Sequence, residues 1–360
     1  MSKPNEIARW RMHTQHLLEP HAPSASAVVR SLLAVQAENR SQAEWAVACR
    51  TAQSDAADLA GLLDTGAIIR THVLRPTWHF VSAADVRWLI ELTSPRVRPV
   101  LHRQLIEQHG LSASDLDRAL SIVVESLSGR PDQNREQLAA GLIDGGMDLG
   151  GQALMLLLGV AELDRLICSG RLVNGKHTYA AFAERVPPAT RLDRDEALAE
   201  ATLRYFTGHG PATERDLAYW ATLTLTDVRR GLDQVQDRLT SFTHDGRTFW
   251  HAAGTEMPST SPEPAAHLLQ ILDELYRGYQ DSRMVLDAEG IVPRGREVAV
   301  GMAVVDAQLV GSMKRTLGAR VRFEVMPYRR LRSGELDALE VAAARYGAFL
   351  GLDSELLVRR

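Results

Sequence analysis

The run Gln36-Ala37-Glu38-Asn39-Arg40, inside "LAVQAENRS", puts an amide, a carboxylate and a guanidinium side by side in the chain. A carboxylate can take a proton from water, and an amide, which both donates and accepts, can hold that water in place. The pair can act together only on the right backbone. On an α-helix residues i and i+2 point about 200° apart, which would send Gln36 and Glu38 to different faces. In an extended chain they share a side. The apolar helical period that begins near Ser26 lapses after Val35, and Ser41 suits the cap of the next helix. The expectation is therefore an extended linker with Ala37 turned the other way. The alternative for the same residues is a polar cap between two helices.

Other chemistries find little support. The two cysteines, Cys49 and Cys168, sit in apolar patterns read as helical, so neither a disulfide framework nor a zinc site is expected, and the compartment read from them is a reducing cytoplasm. The N-terminus lacks the apolar core of a signal peptide, and the longest apolar stretch, "ALMLLLGV" from Ala153 to Val160, is too short to span a bilayer. Lysine occurs only at 3, 176 and 314, which leaves few amines for a Schiff base. No metal, cofactor or membrane partner is expected, and the chain reads as a monomer.

The elements that must position the linker repeat along the 360 residues. Helical patterns cover Asn5 to Leu18, Ser26 to Val35, Ser41 to Thr51 and Ser54 to Thr65, and extended "IIRTHVLRPTWHFVS" follows from Ile68 to Ser82. After a connecting helix from near Asp85, a second set ends in "GRLVNGKHTYAAF". A third ends in "LTSFTHDGRTFWHA", with Thr213 opening its second helix and Thr226 suited to cap its third. Asn174-Gly175 and Asp245-Gly246 are hairpin-turn dipeptides at equivalent places. Three helices closed by a hairpin describe a winged helix. The fold class expected is α+β, mostly α: winged-helix modules over 1–112, 113–190 and 191–255, then a C-terminal α/β block over 256–360. A Pro/Ser/Thr-rich linker from Ala253 to Pro264 introduces that block.

The formal net charge of −4 gives no global reason to bind nucleic acid, so any such binding must come from local segregation. Arg294 to Arg332 holds nine Lys and Arg against three Asp and Glu, a local +6. A basic β-hairpin there carries Lys314, Arg315, Arg320 and Arg322, with Arg320 and Arg322 expected on one strand face. A second tract runs from Arg70 through Arg75, Arg87, Arg96, Arg98 and Arg103. Guanidinium groups on such surfaces suit phosphate tracking.

The segments "LLAVQAE", "RTHVLRPTWHFVSAADVRWL", "YFTGHGPATERDLAYWATL", "HLLQILDELYRGYQDSR" and "VVDAQLVGSMKRTLGARVRFEVMPYRRL" together resemble the AlkZ-like and YcaQ-like bacterial DNA glycosylases, over nearly the whole chain. The resemblance implies a monofunctional glycosylase that removes bulky N7-alkylated purines, genotoxin adducts or crosslinks among them, from double-stranded DNA. The family's motif is Gln-x-Gln or Gln-x-Asp, and the matching positions are Gln36 and Glu38, glutamate being a departure from both. The expected DNA contacts are Arg40, Arg75, His79, Lys314, Arg315, Arg320 and Arg322; for His79 two alternatives are that it orients the catalytic linker and that it is a packed, hydrogen-bonded residue. Trp78 reads as core, and Asp273, Tyr276, Tyr279 and Arg283 as structural residues at helical spacing. Two rival readings stay open: a non-catalytic DNA-binding regulator and a toxin-sequestering protein.

Overall fold

A computed structural model describes residues 3–189, 191–259, 263–295 and 301–359. Three sets of elements follow one order. The first has helix Ala25–Leu32, strand Ala34–Gln36, helices Arg40–Ala48 and Ala56–Thr65, and strands Ile68–Val73 and Arg75–Ser82. The second repeats this with Ala113–Leu127, Gln133–Asn134, Arg135–Asp144, Gly151–Leu163, Ile167–Ser169 and Thr178–Ala181. In both sheets the last strand lies between the other two. The third has helices Arg194–His209, Glu214–Ala221 and Leu225–Val235 and the hairpin Leu239–His244 with Arg247–Ala252, where a single bridge from Ala212 to Trp250 replaces the first strand.

Local chemistry accounts for these boundaries. Capping boxes open five helices through Ser112, Asn134, Asp193, Thr213 and Thr224, each answered by the residue three positions on. Thr224, not Thr226, is thus the cap, because Asp227 closes its box. Asn174 and Gly175, and likewise Asp245 and Gly246, take positive φ as two-residue hairpin turns require. A third such turn, Asp306-Ala307, has no glycine to announce it.

The C-terminal block is a five-stranded sheet in the order Ser354–Val358, Val321–Pro327, Gln308–Leu317, Gly301–Val305, Ala266–Leu269, covered by helix Ser333–Leu350. The last strand, parallel to Val321–Pro327, was not anticipated. Helical spacing in "HLLQILDELYRGYQDSR" does not give a helix. The segment breaks into a strand, the short helix Glu274–Arg277 and the 3₁₀ turn Arg283–Leu286, because Asp273 turns back to accept from Leu275 N. Cys168 likewise lies in a strand. Part of the Pro/Ser/Thr linker, residues 260–262, and residues 296–300 within the basic stretch from Arg294 to Arg332 lie outside the described residues.

The cores cross these sets. Val35, Ala37, Ile68 and Phe80, on one face of the first sheet, pack on that set's own helices. Ala34, Ile69, Val73 and Val81, on the other face, join residues of the third set such as Leu198, Phe206 and Trp220. Ile7, Ala8 and Met12 of helix Lys3–Thr14 bury with the C-terminal sheet. No helix of the described residues is long and apolar enough to cross a membrane.

The tightest crossing sets a test. A Cβ on Gly208 would lie 2.1 Å from the Ser31 carbonyl oxygen, so helices Arg194–His209 and Ala25–Leu32 meet backbone to backbone there. Gly208→Ala is expected to cost about 1–3 kcal/mol through overpacking, read as a lower denaturant midpoint. Gly61→Ala, with nothing within 4 Å of its Cβ, should hold or raise the midpoint.

Candidate active site

Helix Ala25–Leu32 stops at Leu33, whose φ of 64 turns the chain into the strand Ala34–Gln36. This strand pairs antiparallel with Arg75–Ser82, Gln36 opposite His79. Ala37 N donates to the Trp78 carbonyl at 2.7 Å, which extends the ladder by one residue. Gln36 and His79 are therefore a non-hydrogen-bonded pair, the kind in which facing side chains come closest. The next helix is capped by Asn39, not by Ser41: Asn39 Oδ1 accepts from Gln42 N at 3.3 Å, and Ser41 Oγ donates to the same oxygen at 3.1 Å. With the cap supplied by Asn39, Gln36 and Glu38 are left out of capping.

Two buried ionic side chains hold this linker. Gln36 N points away from the ladder, at a sheet edge, and donates to Glu274 Oε1 at 2.9 Å. The second oxygen of Glu274 accepts from Trp220 Nε1 at 3.0 Å and from His209 Nε2 at 3.3 Å. Burial opposes the charge on Glu274, but the His209 bond and the nearby Arg75 outweigh it and bring the carboxyl down to about 2. From the other side Arg70 Nε donates to the Ala37 carbonyl at 2.9 Å and Nη2 to the Glu38 carbonyl at 3.2 Å. The same guanidinium lies 4.5 Å over the Trp78 ring.

The two motif side chains meet different surroundings. Glu38 is exposed, and one carboxylate oxygen accepts from Trp78 N at 3.3 Å. Gln36 is 6% exposed, and its Oε1 is buried without a partner in the protein. Trp78 is fixed in turn by Glu162 of the second set, which accepts its Nε1 at 3.2 Å and also bonds His72 Nδ1. Glu162 and Glu274 are both fully buried, and neither was singled out from the sequence. Their partners lie 84 and 238 residues away. The only trace of Glu274 is its charge within an apolar run.

The expected DNA contacts divide. His79 is fully buried; its Nδ1 donates to the Thr77 carbonyl at 3.0 Å, and burial, with Arg75 beside it, pushes the imidazole down to about 3. It offers no surface charge to a phosphate. Arg75 is half-buried, donates to the Arg277 carbonyl at 3.0 Å and lies 5.3 Å over the Tyr219 ring. Arg40 pairs with Glu44 at 2.7 Å. In the hairpin Lys314 and Arg320 are exposed, but Arg320 sits in the turn before the strand Val321–Pro327 and so does not share a strand face with Arg322. Arg322 pairs with Glu355 at 3.0 Å. Arg315 donates to Tyr346 OH at 2.5 Å and reaches Ser41 Oγ at 3.4 Å, which brings the hairpin beside the linker. The second basic tract divides as well: Arg70 is buried, Arg98, partly exposed, makes a two-pronged pair with Asp164 at 2.6 and 2.9 Å, Arg87 lies 5.1 Å over Phe182, and Arg96 and Arg103 are exposed.

Comparison with known proteins bears on this arrangement. Among curated proteins, the "Interstrand DNA cross-link repair glycosylase" of Streptomyces sahachiroi is 24% identical over 290 residues, 76% of each chain. Among solved structures, Streptomyces sahachiroi DNA glycosylase AlkZ matches with a TM-score of 0.77 at 22% identity, covering 99% of both chains, a likeness of fold. A family model described as DNA glycosylase AlkZ-like matches residues 29–349, a span that includes the linker, both of its anchors and the hairpin. The chain belongs to the AlkZ-like DNA glycosylase family.

Proposed function

We propose that this chain hydrolyses the N-glycosidic bond of bulky N7-alkylated purines in double-stranded DNA, using Gln36 and Glu38. The observation that carries the reading is the linker: an exposed carboxylate two residues from a buried amide, where the strand ending at Gln36 passes into a bend at Glu38 and the backbone is held from both sides. The relative named for interstrand cross-link repair supports a bulky lesion. The three repeated sets serve as winged-helix modules, with the boundaries 1–112, 113–190 and 191–255 before the block 256–360. The chain acts as a monomer on DNA in the cytoplasm.

A purine alkylated at N7 carries positive charge, so the bond from C1′ to N9 breaks with its electron pair passing to the base, which leaves neutral. The sugar becomes oxocarbenium-like. Water forms the new bond to C1′ and its proton goes to Glu38, whose negative charge also stabilises the sugar cation. Gln36 holds the water. Glutamate brings one methylene more than the aspartate of the family's second motif version. The hydrogen bond from Trp78 N fixes one oxygen of that longer side chain.

Glu38→Ala should abolish most release of N7-methylguanine from a duplex in single-turnover assays, by about 10²–10⁴-fold as for a lost general base. Glu38→Gln, which recreates a Gln-x-Gln motif, should keep part of it. Equal rates for wild type and Glu38→Ala would remove Glu38 from the chemistry.

The hairpin cations test the DNA surface. Lys314→Ala and Arg320→Ala should each flatten the slope of log affinity against log salt by about 1, on duplexes of any sequence. Arg322→Ala should change it less, because Glu355 already pairs with Arg322. An unchanged slope in the Lys314 and Arg320 variants would place the DNA elsewhere.

A further inference from the structure

The face of the first sheet that looks toward the third set carries a row of polar side chains. Gln36 stands opposite His79, and His79 opposite Thr71. Gln36 is 6% exposed and the other two not at all. Gln36 Oε1, His79 Nε2 and Thr71 Oγ1 are nonetheless all without a hydrogen-bond partner in the protein, and none of them bonds another. Buried polar groups need hydrogen-bond partners, and three unpaired ones on adjacent register positions of one face call for a shared one.

The chemistry of the three atoms defines that guest. His79 Nδ1 faces the Thr77 carbonyl, which can only accept, so the proton sits on Nδ1 and Nε2 is a bare lone pair. The imidazole stays neutral well below physiological pH. Gln36 Oε1 is also an acceptor, while the Thr71 hydroxyl can donate. A molecule that donates two hydrogens and accepts one satisfies all three, and a single water does this. The positive field of nearby Arg75, which helps to keep His79 neutral, works against a cation.

We infer that Thr71 and His79, through one buried water, fix the end-for-end orientation of the Gln36 amide, and so are positioning residues for the hydrolysis. With Oε1 turned inward to this water, the amide nitrogen faces outward. Its N–H groups then donate to a lone pair of the attacking water, which donates one hydrogen to Glu38 and keeps its other lone pair for C1′. Without the buried water the amide turns freely, and half of its orientations present an oxygen that repels that lone pair. This inference rests on the proposed glycosylase reading for its kinetic consequence but not for the buried water itself.

Two arms keep the two apart. A high-resolution crystal structure of the full chain should show a water within hydrogen-bond distance of Gln36 Oε1, His79 Nε2 and Thr71 Oγ1; a direct bond between Gln36 and His79, or a site closed by side chains, overturns the inference whatever the activity. In single-turnover release of N7-methylguanine, Thr71→Val, which keeps side-chain shape, and His79→Ala should each slow excision roughly ten- to a hundredfold. DNA affinity should not change, and neither variant should slow Gln36→Ala further. Slowing that multiplies with that of Gln36→Ala, or a wild-type rate in folded Thr71→Val, overturns it. If wild type releases no base, the glycosylase reading fails, and the crystallographic arm still decides the water.

Discussion

The arrangement depends on one buried carboxylate. Glu274 accepts hydrogen bonds from Gln36 in the first set and from His209 and Trp220 in the third, while its own chain belongs to the C-terminal block. A strand edge inside a protein leaves N–H groups that must find acceptors, and here the acceptor is a charge. Burying that charge is costly unless every lone pair is used, and removing one of its partners would leave an uncompensated ion. Glu274 therefore constrains three separate parts of the chain to a single mutual placement. Neighbouring ion pairs work the same way: Asp273 takes both prongs of Arg50, and Asp216 lies 3.9 Å from Arg11 and accepts from Ser282.

This explains how a short linker can serve as a precise site. A strand of three residues has little pairing of its own. Glu274 takes its outward N–H, Trp78 its inner one at Ala37, and Arg70 the two carbonyls that follow. Glu162 then fixes Trp78 from the second set. The candidate chemistry thus lies where the repeated sets meet, and the shared cores keep the sets from moving as independent beads.

What the sequence disclosed was local. The lapse of helical period after Val35 correctly indicated extended chain at Gln36, and the dipeptides Asn174-Gly175 and Asp245-Gly246 marked hairpins because those residues tolerate positive φ. Non-local facts were hidden. Asn39 and Ser41 are both good caps, and only the backbone turn at Asn39 chooses between them. Periodicity in the segment after Pro264 suggested a helix, but its acidic side chains are spent on Arg50, Gln36 and His209 and break it. Charge counts place Arg70 on a binding surface, whereas its hydrogen bonds to the distant linker carbonyls turn it inward. His79 beside a tryptophan gave no sign of which side of the sheet was covered.

On the proposed mechanism Glu274 sets the position of Gln36 and thereby the chemistry. The most direct test of this is the single-turnover rate of N7-methylguanine release by Glu274→Gln. The substituted amide must turn its oxygen toward the two donors Trp220 and His209, which leaves its own N–H groups facing Gln36 N, donor against donor. A folded protein that excises about as slowly as Gln36→Ala is the predicted result. A folded Glu274→Gln protein that excises at the wild-type rate would show that the Glu274 carboxylate does not govern Gln36.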